Sequence, residues 1–140
     1  MYSQLIQDFI EQESLPESYG RDALKYFVPL AKKIAKLILK SKRPLLLGIN
    51  GAQGTGKTTL TKLLVRLLEA REFNMTSFSI DDFYFTKKER QELAKKEHPM
   101  LITRGVPGTH DIALLLEKLN SLYAQQPGQS VCLPRFNKAL

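Results

Sequence analysis

Gly51-Ala52-Gln53-Gly54-Thr55-Gly56-Lys57-Thr58 is the stretch that decides how this 140-residue chain is read. Its spacing fits G-x-x-x-x-G-K-[ST], the pattern of a phosphate-binding loop, and both flanks are those such a loop requires. Upstream, Pro44-Leu45-Leu46-Leu47-Gly48-Ile49-Asn50 is a short apolar run that predicts a buried strand; downstream, Thr59 to Arg71 has the apolar period of a helix. The glycines let the backbone turn its N–H groups inward around phosphates, and Lys57 adds a point charge. The helix presents its unpaired N-terminal amides and the positive end of its dipole. Thr58 is placed to hold Mg²⁺ through its hydroxyl. The bland alternative is a Gly-rich turn with no ligand, and the flanks weigh against it.

Working outward, Ser3 to Glu13 places Leu5, Ile6, Phe9 and Ile10 on one face and predicts a short amphipathic helix, broken by Leu15 to Gly20. From Arg21 to about Lys40 apolar residues recur at helical spacing, with Pro29 an early kink or a boundary. Asn74 to Ile80 alternates and is rich in β-formers, so it predicts a second strand, and Ser130 to Leu133 a third. Strand, loop, helix, strand is a βαβ unit. The expected fold class is therefore α/β: a P-loop NTPase-type parallel sheet flanked by helices, with residues 1–43 as a helical lead-in and 44–140 as the phosphate-loop domain. Thr86 to His98 is expected to be an exposed helix or a mobile excursion. Asp111 is expected to cap a helix that carries Ile112, Leu115, Leu116, Leu119 and Leu122.

The length suits one domain, and 43% hydrophobic residues suffice for one core. The single cysteine, Cys132, lies in an apolar run and is expected to be a buried thiol. No stretch reads as a signal peptide or a membrane span, so a cytoplasmic protein with no membrane partner is expected. The formal charge of +7 is compatible with nucleic acid, an anionic membrane surface or an anionic small molecule. Lys32, Lys33, Lys36, Lys40, Lys42 and Arg43, and then Lys87, Lys88, Arg90, Lys95 and Lys96, fall on the polar sides of two segments and read as solvated helix faces. No helix-turn-helix, zinc-ligand or RNA-binding aromatic signature accompanies them, so nucleic acid is not the expected partner.

Two further clusters carry chemistry. Asp81-Asp82-Phe83-Tyr84 follows the second predicted strand, where α/β sheets collect ligand-binding residues. A carboxylate there would accept the proton of an acceptor hydroxyl or help position Mg²⁺; the alternative is that both aspartates cap a turn. Tyr84 and its phenylalanine neighbours either wall an acceptor pocket or pack in the core. Arg104-Gly105-Val106-Pro107-Gly108-Thr109-His110-Asp111 brings a cation, a titratable ring and a carboxylate into one short span. The structural alternative is that His110 and Asp111 cap the next helix.

Taken in order, GAQGTGKTT, SIDDFY, RGVPGTHD and LPRFNKA resemble the P-loop kinases of the phosphoribulokinase and uridine kinase group, and within it the D-glycerate 3-kinase-like branch. The resemblance covers roughly Leu45 to Leu140. It implies that Gly51, Ala52, Gln53, Gly54, Thr55, Gly56, Lys57, Thr58 and Thr59 bind ATP phosphates and Mg²⁺, and that Asp81 is the base at the acceptor site. It also implies that Arg104, His110 and Asp111 form the substrate-side loop, with Arg135 and Phe136 facing the same cleft; Asp82 and Tyr84 are substrate-side candidates from their place after the second predicted strand. The family usually has an aspartate where this chain has Asn137, which removes a negative charge. Family members also continue past this point with an acidic-glycine motif and a basic lid, so the chain resembles an N-terminal half. The expected partners are a nucleotide and a small-molecule acceptor, together with a second copy of the chain or a C-terminal half. The leading activity is ATP-dependent phosphoryl transfer to a hydroxyl of a small metabolite, glycerate first. Pantothenate or a nucleoside is the alternative acceptor, and a non-catalytic nucleotide-binding module the alternative class.

Overall fold

Leu5, Ile6, Phe9 and Ile10 do share a face: α1 (Tyr2–Gln12) buries Ile6, Phe9 and Ile10. The computed structural model describes residues 2–126 and 128–137. Their contacts divide into two units, Met1–Ser77 and Phe78–Leu140.

In the first unit, α2 (Ser18–Asp22) runs into a π-helical turn over Ala23–Phe27 and then α3 (Val28–Lys40). Pro29 explains the widened turn. It has no N–H to donate, and its ring would press on the carbonyl four residues earlier in a regular helix. The chain opens to a five-residue hydrogen bond instead, from the Val28 N–H to the Ala23 carbonyl, and the helical path continues. Pro29 then sits in the first turn of α3, where a missing donor costs nothing. Ala31, Ile34 and Ala35 of α3 meet Leu63, Leu64, Leu67 and Leu68 of α4 (Lys57–Glu69) in one buried cluster with the α1 residues. Each fully buried leucine contributes roughly 1.5–3 kcal/mol. Polar contacts tie α1 to the same helix: Lys62 to Glu13 at 2.6 Å, Arg66 to Gln12, and Arg66 over the Phe9 ring at 5.3 Å. The lead-in helices are thus the packing surface that holds the helix behind the phosphate loop.

The expected sheet is not found. Among the described residues there is no β-strand, and Pro44–Asn50, Asn74–Ser79 and Ser130–Leu133 run as irregular chain. Leu45, Leu46 and Leu47 are 41%, 56% and 50% exposed, whereas a central strand of a parallel sheet is covered on both faces. An apolar run encodes the capacity to be a strand, but a ladder needs a second segment in register beside it, and none of the three has one here. Cys132 is exposed for the same reason: no sheet covers the Val131-Cys132-Leu133 run.

In the second unit, Ile80–Phe83 forms a 3₁₀ turn closed by a capping box between Ser79 and Asp82. It buries Phe83 completely, edge-on to Phe78 with centroids 5.6 Å apart. The segment after it is an ordered helix, α5 (Lys87–Lys96), started by Thr86 and Glu89 in a second capping box. A 3₁₀ turn over Pro99–Ile102 leads to the 103–111 loop, and Asp111 caps α6 (Ile112–Ala124) by accepting from the Leu114 N–H at 2.8 Å. No residue of α6 is fully buried, and Ile112, Leu116 and Tyr123 are exposed.

The α5 cap carries a pH dependence. The Thr86 hydroxyl, and then the Thr86 backbone N–H, donate to Glu89 and hold its carboxyl below the usual glutamate value. A depressed folded pKa means the cap contributes fully above the unfolded pKa and is lost as pH falls through the folded one. The amide proton shift of Thr86 should therefore titrate with a midpoint below the usual glutamate range, and Glu89→Gln should abolish that titration. An unchanged titration in Glu89→Gln would assign it to another group.

Candidate functional site

The site residues fall in two clusters, one in each unit. The first is the phosphate loop. Gly54 and Gly56 have φ of +77° and +80°, a region that side chains with a Cβ enter at a cost, so glycine is required where the loop turns inward. Gly56 is the N-cap of α4 and provides no side-chain cap, and the first turn of α4 holds no acidic residue. Its leading amides and dipole are thus left for an anion. The Lys57 Nζ donates to the Gly51 carbonyl at 2.8 Å and the Ala52 carbonyl at 2.7 Å. An ammonium has three donors, so two bonds aim the group across the loop and the third is what a phosphate oxygen would accept. Two more bonds stiffen the loop: the Asn50 Oδ1 accepts from the Gly51 N–H at 2.8 Å, and the Thr55 hydroxyl donates to the Ala52 carbonyl at 2.7 Å. Asn50 escaped the sequence reading because it precedes the motif.

Ala52, Gln53 and Thr55 are exposed on this loop, and in the first turn of α4 Thr58 is exposed and Thr59 half-buried. Among the described residues no group of three or more His, Cys, Asp or Glu could hold a metal ion. The single exposed hydroxyl of Thr58 suits a cation such as Mg²⁺, which keeps several waters and takes few protein ligands beside substrate phosphates.

The second cluster gathers most of the sequence-derived acceptor candidates. Tyr84 and His110 pair through an isolated antiparallel bridge, flanked by bonds from the Phe85 N–H to the Thr109 carbonyl (3.0 Å) and from the Asp111 N–H to the Phe83 carbonyl (2.7 Å). Their rings stack with centroids 4.1 Å apart, and Phe136 meets Tyr84 edge-on at 5.4 Å. The Arg104 guanidinium lies 5.4 Å from the Phe136 ring centre, within cation–π range. Arg135 reaches the Asp82 carboxylate at 3.1 Å, and the Phe136 N–H donates to it at 3.2 Å. Together with its bond from the Ser79 N–H, Asp82 is occupied by protein donors and pins the 135–136 segment in place. Asp111 caps α6, as one half of its reading anticipated. Among the described residues the buried His110 Nε2 has no hydrogen-bond partner. Asp81 is half-buried beside Asp82 and takes part in interactions of its own. Lys138 and Ala139 of the LPRFNKA stretch lie outside the described residues.

Arg90 is the main correction to the sequence reading. Its spacing predicts a solvated face, yet it is only 7% exposed, donating to the Phe85 carbonyl at 2.6 Å and the Ile102 carbonyl at 3.3 Å. A signal was present: Arg90 shares its helical face with Leu93 and Ala94, the least polar side of α5.

Comparison with known proteins finds P-loop domains and kinases. The model of the KAP family P-loop domain matches residues 27–96, half of the chain, taking in the phosphate loop, α4, Asp81 and Asp82 but stopping before Arg104. An uncharacterized kinase of Schizosaccharomyces pombe, mug58, is 37% identical over 79% of this chain and 42% of its own length. The chloroplastic D-glycerate 3-kinase of Arabidopsis thaliana is 37% identical over 69% of this chain and 22% of its own. The chain therefore spans less than half the length of these curated relatives. The solved structure of the YGR205w protein superposes with a TM-score of 0.71 at 31% identity, covering 84% of this chain and 43% of that one. No helix among the described residues is long and apolar enough to cross a membrane. The chain belongs to the family of P-loop domains that the matching model describes, and over part of their length it is similar to proteins named as kinases, a D-glycerate 3-kinase among them.

Proposed function

We propose that the chain carries the phosphate-binding loop and the acceptor-side cluster of an ATP-dependent small-molecule kinase, with glycerate as the first acceptor to test. The observation that carries the proposal is the Lys57 ammonium, held by two loop carbonyls at the uncapped start of α4. In this reading the loop amides and Lys57 grip the nucleotide phosphates and neutralise charge that develops on transfer. Thr58 would hold Mg²⁺, which when bound screens the phosphate oxygens. Asp81 would accept the proton of the acceptor hydroxyl, and Arg104 with the Tyr84–His110 stack would orient an anionic acceptor. Asp82 and Asp111 serve as positioning residues, since protein donors engage their carboxylates.

The D-glycerate 3-kinase relative supports glycerate, and a Streptococcus mutans pantothenate kinase, 31% identical over 69% of this chain, supports pantothenate as the second acceptor. The test is calorimetric titration with Mg·ATP, followed by ADP release with D-glycerate, pantothenate and uridine. Glycerate-stimulated ADP release supports the proposal. ADP release that no acceptor stimulates would replace it with a hydrolase, and binding without release would replace it with a non-catalytic module.

A further inference from the structure

We infer that Arg90 is a positioning residue of the acceptor-side cluster, setting Phe136 and, through that ring, the Arg104 guanidinium. The inference rests on the functional reading of Arg104 above, but its geometry stands separately.

Arg90 is buried, and among the described residues it has no ion pair with a carboxylate. Burying a guanidinium without an anion is costly, so its compensation has to come from carbonyl dipoles and ring faces. Arg90 draws on three separate stretches of chain for this. Its Nη1 donates to the carbonyl of Phe85, next to Tyr84; its Nε donates to the carbonyl of Ile102, two residues before Arg104. Its guanidinium lies 5.8 Å from the Phe136 ring centre, and Arg104 lies 5.4 Å from the same ring. The segments bearing Tyr84, Arg104 and Phe136 are thus indexed to one side chain. A planar fork can bond two carbonyls and press on a ring at once, whereas an ammonium is a point donor and does not hold that arrangement.

Two cations against one ring repel each other, and that repulsion is tolerated here because Arg90 is fixed by carbonyls. Arg104, the other cation on the ring, is thereby constrained on its Phe136 side. A merely structural Arg90 would affect the stability of the second unit without altering the Arg104–Phe136 contact in molecules that remain folded. A positioning Arg90 alters that contact first.

The experiment is a ¹H–¹⁵N spectrum of the arginine Nε–Hε groups in the full chain, in wild type, Arg90→Lys and Phe136→Leu. Phe136→Leu removes the ring and calibrates how far its ring current displaces the Arg104 Hε resonance. In Arg90→Lys the Arg104 resonance should move toward its Phe136→Leu position, while the Thr109 and Asp111 amide shifts stay near their wild-type values. An Arg104 resonance unchanged in folded Arg90→Lys overturns the inference. Should Arg90→Lys fail to fold, Arg90→Gln, which keeps planar donors without charge, carries the same readout. D-glycerate titration adds a second arm: Arg90→Lys should weaken binding by about tenfold or more, with Mg·ATP affinity unchanged. Absence of glycerate binding in wild type would count against the acceptor choice alone, since the arginine spectrum decides positioning by itself.

Discussion

Lys57→Ala should lower acceptor-stimulated ADP formation by about 10²–10³-fold, the cost of removing one preorganised cation or donor from developing charge. The variant removes two things together: the charge aimed at the phosphates, and the bonds to the Gly51 and Ala52 carbonyls that shape the loop. Lys57→Arg keeps the charge in a bulkier fork and should recover only a small part of the loss. The same variants should abolish the rise in melting temperature that saturating Mg·ATP produces in wild type, since a ligand stabilises only the state that binds it. Turnover of Lys57→Ala within tenfold of wild type would remove the loop from the chemistry and leave it a turn.

Leu67→Ala should destabilise the first unit by about 2–5 kcal/mol, read as a lowered urea midpoint at unchanged slope. Leu67 is fully buried in the cluster where α1 and α3 meet α4. Domains of this size rest on about 5–15 kcal/mol in total, so this one truncation removes a large share. Function should follow stability, because α4 presents the amides proposed to face the phosphates and its direction is set largely by this packing. A loss below about 1 kcal/mol would mean that α4 is held by something other than the leucine cluster.

The local features were legible. The phosphate loop, the burial of Ile6, Phe9 and Ile10, the boundary between the π-helical turn and α3 at Pro29, and the Asp111 cap all depend on residues within a few positions of one another. Hydrogen-bond geometry over one turn determines them. The acceptor-side candidates Tyr84, Arg104, His110 and Arg135 were named from short motifs, and the second unit brings them into one neighbourhood with Phe136. Asp82 was less legible: its capping of Ser79 is local, but its bond to Arg135 joins positions far apart in the chain. The ordered start of α5 was written in Thr86 and Glu89, although the charged composition of the segment concealed it.

By itself, then, the sequence determined the shape of the loop proposed to grip phosphate, because glycines at positive φ, a lysine and a helix start act on their immediate neighbours. Only the tertiary structure decided that the three apolar runs remain unpaired, that Cys132 is exposed and that Arg90 is buried beneath Phe136. Each of those outcomes turns on which distant segment lies alongside, and that choice reflects burial and charge compensation summed over the whole unit rather than any local pattern.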